Sequence, residues 1–290
     1  MFKLAVFTDE ISQDLDIAIG VAKKYKVEGL EIRSINNKGP HNFTKEEIKV
    51  IKSKIQDAGL KVCSIASPFF KCDINNDKEC NEHLDILKNC IDLAHTLGTN
   101  IVRGFTFWRT GDTDRYFDKI VDKFPKVIDI VKKGKIILGI ENEAATFIGS
   151  GKYLARFLKE INSEVIKAIW DPANEVHDLT YGESPYPTGY NWVKDRIVHV
   201  HIKDAVKVGE SGKPESVPVG EGDINYWGQL KALKEDGYNG YISLETHWRK
   251  KAKLTEEQVN KPGGSSYSAF AKESSEYCLE NIHKIISSIK

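Results

Sequence analysis

The sequence has few cysteines, and their spacing fits no cysteine-based site. Its 290 residues contain five cysteines, an odd number, and no two of them form a C-x-x-C pair. A zinc ribbon or a thioredoxin-like redox motif is therefore not indicated. We expect free thiols in a reducing compartment at all five positions, Cys63, Cys72, Cys80, Cys90 and Cys278.

Long hydrophobic runs are also missing. No apolar stretch reaches the ~18 residues of a membrane span. Only a few apolar residues precede Thr8-Asp9-Glu10, too few for the core of a signal peptide. These two absences predict a cytoplasmic protein that has no membrane partner.

Charge of one sign is not in excess. Lys and Arg together number 42, as do Asp and Glu, so the formal net charge at neutral pH is zero. A protein without a global positive field has no general attraction for a nucleic-acid backbone or an anionic membrane surface. The expected partner is a small molecule and not a nucleic acid, and association into a homo-oligomer is left open.

The sequence also shows no sign of a domain boundary. No Pro/Gly/Ser-rich linker or shift in composition divides the sequence. Short β-branched or apolar runs alternate with longer amphipathic stretches, which predicts repeated βα units and a parallel sheet. Eight strand candidates are present, at 3–7, 29–33, 61–67, 100–107, 136–142, 166–171, 196–203 and 240–246.

Eight such units in an α/β chain of this length favour a (β/α)8 barrel, or TIM barrel, as a single domain over residues 1–290. An open doubly wound sheet is the alternative. It is less favoured because no Gly-rich phosphate fingerprint follows the first strand. The longest irregular stretches, 173–190 and 204–222, follow the sixth and seventh strands, where barrel enzymes build their pockets.

The helices between the strands carry their own start and stop signals. Thr44-x-x-Glu47 is a capping box ahead of an apolar face, and Gly59 is placed to end that helix. Pro125 has no N–H to donate and is expected to kink or restart the helical stretch that contains it. Further helical stretches are predicted at 80–97, 113–133 and 268–288.

Four side chains with metal-binding atoms stand at the carboxyl ends of four consecutive strand candidates. They are Glu141, Asp171, His201 and Glu245, with His199 as the alternative histidine on the same face of its strand. A lone carboxylate at a strand end is more often a salt bridge or a helix cap. In a closed barrel, however, strand ends converge at the mouth, so four such placements predict one shared site. Three carboxylates and an imidazole suit one divalent metal ion, Mn²⁺, Mg²⁺, Co²⁺ or Zn²⁺.

Seven stretches share a pattern with a known family, namely GLEIRS (29–34), SIASPFFK (64–71), GIENE (139–143), WDPANE (170–175), HVHIKDA (199–205), VPVGEGDINY (217–226) and GYNGYISLE (237–245). They resemble the xylose-isomerase-like TIM-barrel proteins, or sugar phosphate isomerase/epimerase superfamily, over nearly the whole chain. Members bind one divalent cation at the positions of Glu141, Asp171, His201 and Glu245. The resemblance implies a carbohydrate substrate, with Glu141 and Glu245 as the catalytic pair that transfers a proton through an enediolate.

The resemblance does not fix one reaction, because the family includes ketose epimerases, hydroxypyruvate isomerases and inosose dehydratases. Ketose epimerases usually carry His where this chain has Asn174 and Arg where it has Lys207. We expect an isomerase or epimerase, with an inosose-type dehydratase or a non-catalytic sugar-binding barrel as alternatives. An endonuclease-IV-like DNA repair enzyme is disfavoured, since its metal cluster needs more histidine ligands and its substrate favours a basic protein.

Polar side chains near the strand ends are candidates for substrate binding. Lys203 is the strongest because it lies directly beyond the metal-binding histidine, whereas Arg103 is expected to form a salt bridge. Gly220-Glu221-Gly222 is expected to be a turn, with an anion-binding loop as the alternative. The predicted substrate-binding residues are Arg33, Lys71, Asn174, His177, Lys203 and Lys207, and the aromatic candidates for stacking on a sugar are Phe69, Phe70, Phe107, Trp108, Trp170 and Tyr186.

Overall fold

The computed structural model describes residues 2–209 and 212–289, which contain ten strands. These are β1 (Lys3–Phe7), β2 (Gly29–Ile32), β3 (Lys61–Phe69), β4 (Ile101–Gly104), β5 (Ile137–Glu141), β6 (Ile166–Trp170), β7 (Ile197–Ile202), β8 (Asp204–Val208), β9 (Lys213–Val217) and β10 (Tyr241–Leu244). Eight of them form a closed barrel in the order β1-β10-β7-β6-β5-β4-β3-β2. Every neighbouring pair in the barrel is parallel. The closure confirms the predicted (β/α)8 barrel and excludes the open sheet.

Helices connect the strands around the outside. They are α1 (Leu15–Lys24), α2 (Lys45–Asp57), α3 (Asp77–Leu97), α4 (Thr113–Asp122), α5 (Phe124–Gly134), α6 (Gly151–Ile161), α7 (Pro172–His177), α8 (Tyr190–Val193), α9 (Tyr226–Glu235), α10 (Glu256–Asn260), α11 (Gly264–Tyr267) and α12 (Ala271–Ser288). Because all barrel strands run in the same direction, their carboxyl ends meet at one mouth. The segments that carry α7, the hairpin β8-β9 and α10 follow strand ends and therefore lie on that side.

Local signals in the sequence set several helix boundaries. The hydroxyl of Thr44 accepts a hydrogen bond from the Glu47 amide at 3.2 Å, and the Glu47 carboxylate accepts one from the Thr44 amide at 2.8 Å. The predicted capping box is thus confirmed. Pro125 lies in the first turn of α5, where its missing N–H is not needed, and the predicted helix 113–133 is accordingly restarted after Asp122.

Two expectations about the chain's course were wrong in part. The predicted strand 100–107 ends at Gly104, because the backbone leaves the sheet direction and Phe107 adopts a left-handed φ of 67°. The stretches 173–190 and 204–222 are not irregular throughout. The first contains most of the short helix α7 and a helical turn at Pro185–Gly189, and the second contains the antiparallel hairpin β8-β9.

The main core lies between the strands and the surrounding helices, and it holds most of the buried aliphatic and aromatic side chains. All five cysteines are buried and unpaired, which confirms the expectation of free thiols. None of the helices in the described part of the chain combines the length and apolar character that crossing a bilayer requires. The barrel interior near the mouth, by contrast, is filled with charged and polar side chains.

Candidate metal centre

Four candidate ligands converge at the mouth of the barrel. Glu141 is the last residue of β5, Asp171 follows β6, His201 lies near the end of β7, and Glu245 follows β10. One ligand atom from each lies within 4.8 Å of the corresponding atoms of the other three. All four residues are buried, with at most 3% of their surface exposed. The barrel therefore brings together the four residues that the sequence placed at consecutive strand ends.

The two carboxylate oxygens of Asp171 have different roles: one caps a helix and the other faces the candidate metal centre. Its Oδ1 accepts hydrogen bonds from the amides of Ala173 at 2.9 Å and Asn174 at 3.2 Å, which caps α7. Its Oδ2 points the other way and lies 3.8 Å from Nδ1 of His201. The helix cap thus fixes the direction in which the free oxygen points.

Glu31, which lies inside β2, orients the histidines of β7. Its Oε2 lies 2.8 Å from Nε2 of His199, and its Oε1 lies 3.4 Å from Nε2 of His201. The other ring nitrogen of His201 faces Glu141 Oε1 at 3.3 Å. A carboxylate that holds the far N–H of a histidine leaves the near nitrogen free to coordinate an ion. His199 clusters with Glu31 and His201 rather than with the four candidate ligands.

The two glutamates are held by cations and an amide. Glu141 accepts hydrogen bonds from Arg103 Nη1 at 3.0 Å and from Asn174 Nδ2 at 3.2 Å. Glu245 accepts from Arg33 Nη1 at 2.5 Å and from Lys203 Nζ at 3.0 Å. Each carboxylate is therefore fixed in position by donors from other parts of the barrel mouth.

These contacts decide the ionisation of the glutamates. Burial alone would favour the neutral acid, but the charges of Lys203, His247 and Arg33 hold the pKa of Glu245 well below its usual range. Against the same effect of burial, His201 and Arg103 lower the pKa of Glu141. Both side chains are therefore ionised at neutral pH and able to act as ligands or bases.

The other two ligands shift in the opposite direction. Burial raises the pKa of Asp171 more than Lys203 lowers it. Burial disfavours the charged imidazole of His201, yet Glu141 and Glu31 outweigh it and raise the pKa to about 10. Two neighbouring ligands thus hold protons more firmly than usual, as expected where negative charges crowd together.

A charge count tests whether a divalent cation fits. Six carboxylates and four permanent cations, each at most 4% exposed, form a network of ion pairs around the centre. These carboxylates exceed the permanent cations by two charges; protonated His201 offsets one of them, and a divalent ion that displaces its proton would balance the site. In addition, Asp171 Oδ2 and His201 Nδ1 accept no hydrogen bond from the described residues, although Lys203 Nζ lies 2.8 Å from that Oδ2. Three carboxylates and one imidazole whose ligand atoms lie within 4.8 Å of one another fit the predicted divalent metal. The network comprises Asp9, Glu10, Glu31, Glu141, Asp171 and Glu245 with Arg33, Arg103, Lys203 and Arg249.

Comparison with known families places this geometry in context. A family model described as xylose isomerase-like TIM barrel matches residues 19–264. The chain belongs to the xylose isomerase-like TIM barrel family.

Several proteins are similar to this chain at low identity. L-ribulose-5-phosphate 3-epimerase UlaE of Salmonella heidelberg is 22% identical over 234 residues, which cover 76% of this chain and 76% of that protein. A D-allulose 3-epimerase from Methylomonas sp. matches with a TM-score of 0.71 at 17% identity, over 98% of each chain. A xylose isomerase-like TIM barrel protein from Mycobacterium smegmatis in complex with magnesium matches with a TM-score of 0.69 at 17% identity, over 100% of this chain and 98% of that one.

The predicted substrate-binding residues of this xylose isomerase-like barrel fall into two groups. Arg33, Asn174 and Lys203 contact the candidate ligands directly, as described above. Lys71 donates to Glu143 at 2.9 Å and to the carbonyl of Asn260 at 3.2 Å, near the rim of the barrel. The salt bridge expected of Arg103 is present, with Glu141 as its partner.

The remaining two candidates lie farther out. His177 ends α7, and burial lowers its pKa to about 4, with Lys203 and His247 adding to the effect, so the imidazole is neutral at neutral pH. Lys207 is exposed on the hairpin strand β8. Within the described part of the chain, its side chain forms no ion pair with the candidate ligands. The neutral His177 can exchange hydrogen bonds with a hydroxyl group, whereas Lys207 has no such position near the ligands.

The Gly220-Glu221-Gly222 stretch is a turn closed by a side chain. The amides of Gly220 and Gly222 donate to Asp204 Oδ2 at 2.8 and 3.1 Å, so they are not free for a bound anion. Among the aromatic candidates, Trp108 lines a cavity at the mouth. Tyr186 packs against Tyr190 in the segment after α7. Four others are at most 1% exposed and belong to the core, Phe69, Phe70, Phe107 and Trp170.

Sequence reasoning missed the partners of the ligands. Glu10, Glu31 and Arg249 belong to the charged network, and His247 and Glu143 lie beside it. One signal for Glu31 was present, because it is a charged residue between Leu30 and Ile32 in a strand that is buried throughout. The others lie in connections whose path the sequence does not reveal.

Proposed function

We propose that this protein is a divalent-metal-dependent isomerase or epimerase that acts on a sugar or a related hydroxy-carbonyl compound. The observation that carries the proposal is the pair Glu141 and Glu245, two buried and ionised carboxylates that converge with Asp171 and His201. Two relatives, an L-ribulose-5-phosphate 3-epimerase and a D-allulose 3-epimerase, support the reaction class. A relative in complex with magnesium supports the metal, and Mn²⁺, Co²⁺ and Zn²⁺ suit the same ligands.

Proton transfer by the two glutamates is the proposed chemistry. When bound, a divalent ion would polarise the carbonyl and hydroxyl oxygens of the substrate as a Lewis acid. One glutamate removes the proton from the carbon beside the carbonyl, which gives an enediolate, and the other returns a proton. Arg33 and Arg103 hold the carboxylates in place, and Lys203 supplies positive charge beside them.

The assignment of residues 1–290 to one domain remains a prediction.

Metal analysis tests the ligand set. Purified protein is expected to bind about one divalent ion per chain, and Glu141→Gln, Asp171→Asn or His201→Ala should lower the occupancy. Glu143→Gln is the matched control, since it changes a carboxylate two residues from Glu141 that does not belong to the four. Full activity in a preparation shown to be free of metal would contradict the proposal.

Hydrogen exchange tests the chemistry. In deuterated water with metal present, an isomerase or epimerase incorporates solvent deuterium at the carbon next to the carbonyl of its substrate. The substrates to screen are ketoses, ketose phosphates, inososes and hydroxy-keto acids. Loss of water from an inosose would identify a dehydratase instead. A metal-loaded protein that exchanges no proton in any of them would be a sugar-binding barrel.

A further inference from the structure

A cavity of about 450 Å³ opens beside the candidate metal centre. This volume falls within the range of roughly 300–1,000 Å³ that is typical of small-molecule sites. Arg33 and Arg103 line the cavity and also contact Glu245 and Glu141. A molecule in the cavity would therefore reach the residues that hold the proposed proton-transfer groups.

The charge of the cavity wall has one sign. Two arginines and two lysines line it, Arg33, Arg103, Lys71 and Lys261, whereas none of the lining residues in the described chain is Asp or Glu. The histidine His83, also in the wall, adds no charge at neutral pH, because burial lowers its pKa to about 4. A low-dielectric wall with several positive charges and no negative one favours an anionic guest.

Three of the four cations already have carboxylate partners, and in two of them, Arg33 and Lys71, most donor groups are engaged. Arg33 forms ion pairs with Asp9 at 2.9 Å and Glu10 at 2.8 Å, besides its contact with Glu245. Lys71 pairs with Glu143 at 2.9 Å. The donors of these two side chains are therefore largely occupied, so an anion would have to be bound mainly by the other two.

Arg103 has unused hydrogen-bonding capacity. It is 4% exposed, and both of its carboxylate contacts, Glu141 at 3.0 Å and Glu245 at 4.0 Å, use the same nitrogen, Nη1. Its Nε is buried and has no hydrogen-bond partner among the described residues. A guanidinium that gives Nη1 to one carboxylate keeps its Nε–Nη2 edge for two parallel hydrogen bonds to an oxyanion.

Lys261 stands at the open side of the cavity. It follows α10, is exposed, and forms no ion pair with the described residues. The carbonyl of the preceding Asn260 accepts a hydrogen bond from Lys71 at 3.2 Å, which ties this segment to the end of β3. The backbone at Lys261 is thus held near the cavity mouth, and its ammonium has no anionic partner among the described residues.

We propose that the substrate is an anionic sugar, and that this cavity receives its phosphate or carboxylate group between Arg103 and Lys261. This proposal rests on the proposed function, because that function supplies the reaction at the other end of the substrate. It assigns this chain to sugar phosphates or sugar acids rather than to neutral ketoses.

Binding of inorganic phosphate to the magnesium-loaded full chain tests the site without any turnover. Calorimetry at constant ionic strength is expected to give a dissociation constant that rises roughly 3- to 10-fold in Lys261→Met and at least 10-fold in Arg103→Lys, which keeps the charge but lacks the fork. Lys253→Met is the matched control, because Lys253 lies in the same segment but pairs with Glu215 outside the cavity. Equal dissociation constants in all four proteins would overturn the proposal.

A comparison of substrates shows whether the anion is a phosphate or a carboxylate. It also tests the anionic substrate separately from the proposed function. A ketopentose 5-phosphate and a ketohexuronate are each compared with the neutral ketose by kcat/KM. Preference of at least 10-fold for one anion, reduced in Lys261→Met but not in Lys253→Met, identifies the source. Turnover that favours the neutral ketose would overturn the anionic substrate while the proposed function stands. Phosphate binding that depends on Lys261, without metal binding or proton exchange, would support the cavity and remove the proposed function.

Discussion

The single carboxylate of Glu31 contacts both His199 and His201. We therefore expect Glu31 to influence metal affinity. Glu31→Gln keeps the size of the side chain but removes the charge that fixes Nε2 of His201. Loss of such a partner typically weakens metal binding by about 10–100-fold. Titration against a competing chelator measures the change, and Glu143→Gln, which touches neither histidine, is the control. An unchanged dissociation constant would mean that Glu31 only balances charge.

The two roles proposed for Glu245 can be separated from the single role of Asp171. Glu245→Gln retains an oxygen that coordinates weakly but lacks the basicity to accept a proton. Metal affinity should therefore fall modestly while kcat falls by about 10²–10⁴-fold. Asp171→Asn should act mainly through the metal and recover part of its activity when the metal concentration is raised. Equal recovery of both variants would reduce Glu245 to a ligand.

At the level of residues, the sequence predicted the convergence of the ligands but not their support. Glu141, Asp171, His201 and Glu245 could be found because each closes or follows a strand, and strand ends must meet at a barrel mouth. The pairing of Glu31 with the histidines of β7 could not. β2 and β7 are separated by β1 and β10, and only closure of the barrel brings their side chains together.

The segment between β6 and β7 is tied down by a buried carboxylate. Glu175, in α7, accepts hydrogen bonds from the amides of Gly151 and, at 2.9 Å, of Glu183. Burial raises its pKa to about 7, although both hydrogen bonds act to lower it. The side chain is 1% exposed, so the shift reflects a desolvated acid that gains a proton easily.

This raised pKa of Glu175 predicts a pH dependence of stability. Between the ordinary value of 4.5 and about 7 the folded state keeps a proton that the unfolded chain has lost, so the free energy of unfolding should fall as pH rises through this window. Glu175→Gln lacks this titration. The difference in unfolding free energy between wild type and variant should change by up to about 3 kcal/mol across the window, as measured by denaturant titration. Parallel pH profiles would contradict the prediction.

At the level of elements, helices with a sequence signal at each end could be predicted more closely than the connections after β6 and β7. The capping box of α2 and the interruption before Pro125 are local, since each depends on residues within one turn of helix. The hairpin β8-β9 is different. Its strands have only intermediate or exposed positions beyond Ala205, so no regular apolar alternation marks them.

For the molecule as a whole, the excess of negative charge predicts stabilisation by metal. An ion that binds only the folded state at about 100 times its dissociation constant adds about 2.7 kcal/mol to the free energy of unfolding. The unfolding temperature should therefore rise by several degrees with Mg²⁺ or Mn²⁺ and fall again with a chelator. His201→Ala is the control and should lose this response. A similar rise in that variant would place the ion elsewhere.

The ion pairs at the mouth connect the first part of the chain to the last. Glu10 pairs with Arg249, Glu31 with His199, and Arg33 with Glu245. During synthesis, the amino-terminal strands emerge before any of these partners exist. Arg33 can pair with Asp9 and Glu10 from the start, but burying Glu31 without a cation would cost several kcal/mol, so we expect a half-barrel of the first strands to be less stable than the closed barrel. We therefore expect the mouth to become fully ordered only after β10 has been made, and a chain cut short before it to be cleaved by proteases more readily.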